Sequence, residues 1–522
     1  MKKLFILLLV AFATVIYGQK KVKLDDLQVD VYYRSSGNIT QNNIFQGHYL
    51  LYAVDKPKKK MQDYALVITD ENATAINRFN FTETSDLHLI ESSYQDGEIC
   101  FKFLDSKNKD FKYKIFDVNG KRLLDYTFEL DKSEYRKYLR FSLMDGDADF
   151  AENTELFDLE NEGFCSVAQC EVEKMNSFKL LKFTTGSKKV DVFTYVSKSK
   201  LSFPDFMGVK NGLAYFKIEK MKGPMAKTVI INILAIDVKS WKKVFETNGE
   251  ELGEFIFVPS SMVDDPFYKS VKFIGTYYKN DDNVFKDESQ GLALWEIKED
   301  GTLLREKYKE WSKDFKGFLG FDAKNRSKEM GFIKIHKTLS LTDGRIVAVG
   351  EGYKKVLDGV GLAFSVLSRG SGGSGGRGNI TKMQVNDLAV FKFDADFNFM
   401  DGDRHKKKVS SIALDGGDFM SVHLQAKALK AIGFFDYRST QVNEERTEYV
   451  VGYTSFDRGA NGKNELQYIT LRYNGENATK DVIGKTKDAD WTLFYPNQYG
   501  RVTVTEYFRK QKKIDQRIVK VK

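Results

Sequence analysis

A pattern of paired apolar runs recurs along the whole chain, and it constrains the fold more than any single motif does. Each unit opens near Gly, Asn or Asp and rises through alternating apolar residues. A loop follows, then a second apolar run, a polar turn and a charged strand. The first runs are GHYLLYAVD from Gly47, GEICFKFLD from Gly97, GFCSVAQCEVE from Gly163 and NGLAYFKIEK from Asn211. They continue as VKFIGTYYK from Val271, DGRIVAVGEGYK from Asp343, TEYVVGYTSFD from Thr447 and GRVTVTEYF from Gly500. Their partners carry turns such as Val118-Asn119-Gly120, Glu299-Asp300-Gly301 and Tyr473-Asn474-Gly475. Asn-Gly and Asp-Gly tolerate the positive φ that a tight hairpin demands.

Composition points the same way. There are 41 Phe and 26 Tyr, and aromatic side chains of this kind suit a pleated, half-buried surface. With 42% apolar and 30% charged residues the chain is globular rather than disordered. Eight paired units predict an all-β fold, a β-propeller of eight blades with seven as the alternative. Unit starts lie about 50 to 100 residues apart, wider than compact blades. Radial repetition handles that many hairpins without leaving long edges bare. The N-terminal run LQVDVYYRSS (Leu27–Ser36) is expected to complete the last sheet, so that N- and C-terminal strands close the ring.

The pieces DGRIVAVGE and DLAVFKFDADFN, within Leu341–Met400, resemble repeats of secreted bacterial β-propellers, in which DGxIVVxGE precedes DLxVxKFDxDGN. Phe397 departs from that pattern, standing where those repeats carry glycine, so a different turn is expected there. The whole chain is similar to an uncharacterised exported bacterial family. The resemblance implies a fold and a compartment, and no activity, because propellers host many functions.

Residues 1–18 read as a signal peptide: Lys2 and Lys3 precede an apolar run from Leu4 to Val15, and Gly18 is a small residue at the cut. The run is too short to span a bilayer of about 30 Å, and no later run reaches the length of a membrane helix. Residues 19–522 then form a single propeller with an insertion at about 356–386, and the expected location is the periplasm, outer surface or exterior. The net charge of +8 is mild, and the basic runs Lys56–Lys60, His405–Lys408 and Arg509–Lys513 read as solvated hairpin tips. They leave room for contact with an anionic envelope surface but not for a nucleic-acid partner. Cys165 and Cys170 lie five residues apart on one strand and cannot bridge; with Cys100 they read as small core residues.

No catalytic or cofactor motif emerges. Gly350-Glu351-Gly352 is followed by Lys355 where a dinucleotide fingerprint needs glycine, and the cluster around Ser371 and Ser374 lacks a GK[ST] ending. Both read as strand, turn or flexible loop. Asp145, Asp147 and Asp149 have the alternation of a calcium loop but Phe150 and Leu156 where glycine and glutamate belong. Asp394, Asp396 and Asn398 fall short likewise, with Phe399 and His405 at those places. They are weak metal candidates at most, and no cofactor is expected. His48, His88, His336, His405 and His423 show no zinc spacing, and there is no nucleophile elbow. These readings point to a binding module for an unknown protein or glycan partner. A hydrolase with carboxylates at the channel and a structural envelope component are the alternatives.

Overall fold

The repeated runs become antiparallel meanders because their middle strands are apolar on both faces. Glu98–Asp105 and Val271–Tyr278 are buried at every position, whereas the outer strand Ala75–Thr84 is largely exposed. A strand covered on both sides needs a sheet neighbour on each face, and only stacked meanders supply that. The computed structural model describes residues 22–23, 31–41, 44–141, 154–172, 175–222, 229–247, 254–357, 381–414, 421–458, 464–475, 477–485 and 489–522.

Among the described residues there are six four-stranded sheets and one of nine strands. The first meander runs Val31–Gln41, Ile44–Lys58, Met61–Asp70, Ala75–Thr84, and the second Leu87–Gln95, Glu98–Asp105, Asp110–Asp117, Arg122–Glu129. The third is Leu156–Asp158, Phe164–Val172, Met175–Phe183, Val190–Tyr195, and the fourth Leu201–Lys210, Leu213–Met221, Val229–Asp237, Lys242–Glu246. The nine-stranded sheet holds a fifth meander, Ile256–Asp264 to Leu303–Glu310, and a sixth, Phe332–Ser340 to Phe399–His405, extended by Ser410–Ile412. Their first strands meet in a short parallel bridge, Val263 to Thr338 and Asp264 to Leu339. The seventh runs Tyr437–Val442, Glu448–Arg458, Asn464–Asn474, Asn477–Gly484, and the last Trp491–Pro496, Arg501–Phe508, Lys513–Lys520.

Each meander packs on the next through its own apolar cluster. Leu51 and Leu66 meet Phe101 and Phe103; Phe111 and Tyr113 meet Phe164 and Phe183. Leu180 meets Phe216, Tyr215 meets Phe273, and Ile274 meets Ile335. Val349 meets Val451, Tyr468 meets Phe494, and the last meander returns to the first where Tyr507 and Ile514 meet Leu50 and Tyr52. His48 Nε2 and Thr503 Oγ1 lie 2.8 Å apart across that closure. The architecture is all-β and propeller-like.

Termini close the last sheet, but through other residues than expected. Val22–Lys23 pairs with Lys513–Lys520, Val22 opposite Gln516, while Val31–Gln41 is the first strand of the first meander. Strands reach Leu357 and resume at Thr381; residues 358–380 of the expected insertion lie outside the described ones, as does the leader. The polar segment after Glu310 carries two short helices, Trp311–Asp314 and Lys316–Leu319, whose Trp311, Phe315 and Leu319 fill the gap between fifth and sixth meanders. Val422–Ala431 is a helix, capped where Ser421 Oγ accepts from Leu424 N. Its Leu429 and Ala426 pack on Tyr353 and Met383 of the sixth meander.

Candidate ligand-binding pocket

Where the first strands of the first three meanders end, polar side chains converge on a pocket of about 470 Å³. The first meander supplies Ser36, Asn38 and Thr40, the second Ser92, Ser93 and Gln95, and the third Asp158, Glu160 and Asn161. Backbone geometry fixes the wall. Gly37 lies opposite Tyr49, and a Cβ there would come within 2.5 Å of the tyrosine ring. The phenol of Tyr49 sits 2.7 Å from Ser92 Oγ, which is 2.6 Å from Ser35 Oγ. Tyr94 Oη accepts from Gly97 N at 2.8 Å, which holds that ring at the rim.

The acidic side of the pocket is a single turn. Leu159 is buried and its amide donates to Gly163 O at 2.7 Å, so the flanking Asp158 and Glu160 are turned outward. Glu160 takes a left-handed φ of 54°, unusual without glycine, and a strained residue at a pocket wall is one the rest of the fold must hold in place. Both residues keep exposed surface, and partial desolvation against the pocket wall raises both carboxyls, with the Asp158 charge adding to the rise at Glu160. No lysine or arginine is among the lining residues to offset this. The lining is an array of carboxylates, carboxamides and hydroxyls, several of the hydroxyls already linked to one another. Neither carboxylate stands out in the sequence, because an acidic pair at a hairpin turn looks like any solvated loop.

Of the two acidic motifs named from the sequence, one lies within the described residues. Asp145, Asp147 and Asp149 lie outside the described residues, as do Ser371 and Ser374. Asp394 shapes a turn: its carboxylate accepts from Asp396 N at 2.9 Å and Asn398 N at 2.7 Å. Asp70 and Asp117 do the same in the first and second meanders, accepting from Thr74 N and Lys121 N. At the fourth place of these turns φ is positive in Ala73, Gly120 and Phe397 alike. Phe397 therefore keeps the turn rather than changing it. The strain is offset by its ring, which is fully buried and stacked 4.3 Å from Phe393.

Histidines are also placed singly. His88 is exposed; His405 Nε2 lies 2.8 Å from Tyr473 Oη, and His423 Nδ1 2.8 Å from Tyr353 Oη. Among the described residues no His, Cys, Asp and Glu group is arranged for a metal. Cys100, Cys165 and Cys170 are free and buried, and burial pushes all three thiols up.

One reading of this region holds and one fails. Gly350-Glu351-Gly352 is strand, bulged at Gly352, and the Glu351 side chain is wholly buried beside His336 Nε2 at 3.2 Å and Lys407 Nζ at 3.2 Å. Glu351 also accepts from Tyr437 N at 2.9 Å. Burial pushes this carboxyl up, and Lys407, His336 and the amide more than offset that, holding it below the ordinary range. Lys407 likewise pairs with Asp436 and has no exposed side-chain surface, so the run His405–Lys408 is solvated only in part, at Lys406 and Lys408. By contrast Lys59-Lys60 and Arg509–Gln511 do form hairpin tips.

Several solved structures are similar in outline. The β-propeller domain of the Trilobed protease from Pyrococcus furiosus shares 11% identity at a TM-score of 0.36, over 88% of this chain and 99% of that one. The WD40 domain of SCAP from fission yeast shares 7% at 0.38, over 96% and 98%. A polysaccharide lyase, an ulvan lyase, shares 8% at 0.39, over 82% and 91%. No curated protein sequence matches. The model of a family of unknown function, DUF6770, matches residues 1–522, and the chain belongs to that family.

Proposed function

We propose that the chain is an exported, eight-bladed β-propeller that binds a polyhydroxylated ligand, a glycan segment, in the pocket between the first three meanders. On this reading the two halves of the nine-stranded sheet are separate blades, and residues 1–18 direct export. The observation that carries the ligand is the lining: six hydroxyls, three carboxamides and two carboxylates, without a cationic side chain. Sugar hydroxyls donate and accept, so they satisfy such a surface, and an ionised carboxylate takes donors only. Asp158 and Glu160 leave one turn two residues apart. That favours binding over glycoside cleavage, which uses carboxyl groups flanking the scissile bond.

Isothermal titration of the purified chain against cello-, xylo-, manno- and laminarihexaose tests this. At least one is expected to bind, and Asp158→Asn to weaken that binding about tenfold, the value of one charge-assisted hydrogen bond. No binding across the panel, or an Asp158→Asn variant that binds as the parent does, overturns the reading.

A further inference from the structure

A larger cavity, about 790 Å³, lies between the fifth and sixth meanders at the opposite end of their strands, where first strands begin and second strands finish. Five cationic side chains line it: Lys286, Arg326, Lys328, Lys354 and Lys355. Against them stand Glu288 and Asp322. Asp322 Oδ1 closes its own turn, accepting from Lys324 N at 2.8 Å and Arg326 N at 3.0 Å, while its Oδ2 lies 3.3 Å from Arg326 Nη2; five cations against two acids still leave the wall net positive. The cavity is therefore electropositive, and a concave wall concentrates that field. Ser421 and Val422 bring the start of the ten-residue helix Val422–Ala431 to the same wall, which adds the positive end of its dipole.

The cations are presented on a braced frame. Ser327 Oγ donates to Leu319 O at 3.0 Å and accepts from Met330 N at 3.1 Å, while Gly331 N donates to Ser327 O at 2.9 Å. Gly331 holds φ at 69°, and a Cβ there would come within 2.4 Å of Tyr353 O. Lys354 Nζ donates to Lys328 O at 3.2 Å, tying the strand end to the loop. Arg326 and Lys328 thus leave a backbone already ordered, which lowers the entropic cost of binding. An apolar face completes the wall: Phe332 stacks on Tyr353 at 5.6 Å and meets His423 edge-on at 4.9 Å.

We propose that this cavity binds an acidic oligosaccharide, one that carries sulfate or carboxylate groups on its sugar rings. Its cations surround a volume within the range of small-ligand sites, which suits a compact polyanion. The site is separate from the polar pocket, so either can fail without the other.

The test titrates the purified chain with a sulfated hexasaccharide and a hexa-uronate, with phosphatidylglycerol vesicles as a third arm. The parent is expected to bind at least one saccharide. The triple variant Arg326→Gln/Lys328→Gln/Lys354→Gln should bind it about tenfold more weakly, each removed cation contributing about twofold. An equal loss of charge elsewhere, Arg509→Gln/Lys510→Gln/Lys512→Gln, should leave it unchanged. On the parent itself, bound saccharide should protect Lys328 and Lys354 from acetylation, a readout that needs no variant to fold. No saccharide binding, binding to vesicles alone, equal losses in the two triples, or absent protection each overturns the proposal.

Discussion

The two cavities differ in what builds them, and that difference explains their chemistry. The polar pocket lies where first strands pass into second strands through short links, between Gln41 and Ile44, Gln95 and Glu98, Asp158 and Phe164. Most of its lining sits on pleated strands, where a side chain's direction is set by the ladder and its neighbours are neutral and close. The basic cavity lies at the ends with long connections, 279–290, 311–331 and 406–436. Three of its five cations, Lys286, Arg326 and Lys328, leave these connections free of the pleat, and Lys354 and Lys355 join them from the end of the strand Ile346–Leu357, so like charges gather there. The long connections also brace that end across the ring. Lys427 of the helix Val422–Ala431 pairs with Glu219 and lies 3.3 Å from Asp205, both of the fourth meander.

Substitution of Glu351 should separate the two ends most strongly. This residue anchors His336, Lys407 and the amide that opens the seventh meander, all behind the basic cavity and far in sequence from the polar pocket. Glu351→Gln leaves Lys407 buried with Asp436 as its remaining partner. Removing one member of a buried ionic group should cost about 3 kcal/mol. Urea unfolding is expected to show that loss, and hydrogen exchange to speed up in Val422–Ala431 and Tyr437–Val442 but not in Val31–Gln41. Equal exchange at both ends would mean that the two regions are not separable.

Acid probes the other end. His48 follows Gly47 at the closure beside the polar pocket, and burial lowers its pKa from 6.5 to about 3. The unfolded chain therefore takes up a proton below 6.5 that the folded chain refuses. Stability from this group is intact above 6.5 and is lost as pH falls toward 3. His48→Gln, which keeps a partner for Thr503, should flatten the decline by about 1.4 kcal/mol per pH unit within that window. Urea midpoints at several pH values check it; an unchanged slope would show that the proton enters elsewhere, with His423, lowered to about 4, the next residue to substitute.

Legibility in the sequence followed the same divide. Runs such as Glu98–Asp105 announced middle strands because burial on both faces leaves apolar residues at most positions, five of eight in EICFKFLD. Turn residues announced the reversals, and even Phe397 obeys, since Asp394 organises the turn whatever occupies the left-handed place. One charge was misread and another drew no reading at all. Lys407 looked like one of four basic residues in a loop, yet only contact with Glu351 and Asp436, distant in sequence, decides that it is buried. Asp158 looked like any turn carboxylate, and its pocket exists only because three meanders meet. Side-chain environment at a junction of repeats is a property of the ring, which no single repeat contains.

Ionic strength offers the gentlest discrimination between the two ends. The basic cavity faces its ligand with Arg326 and Lys328 at exposed positions, so their attraction for an anion is screened by salt. Raising salt from about 0.05 to about 0.3 M should weaken acidic-saccharide binding about threefold, as the Debye length falls below the width of the site. Neutral-glycan binding in the polar pocket, which rests on hydrogen bonds at short range, should move far less. Titrations of one preparation with both ligands at both salts give the comparison directly. Parallel salt curves would assign both ligands to a single region and undo the division between the strand-built and loop-built ends.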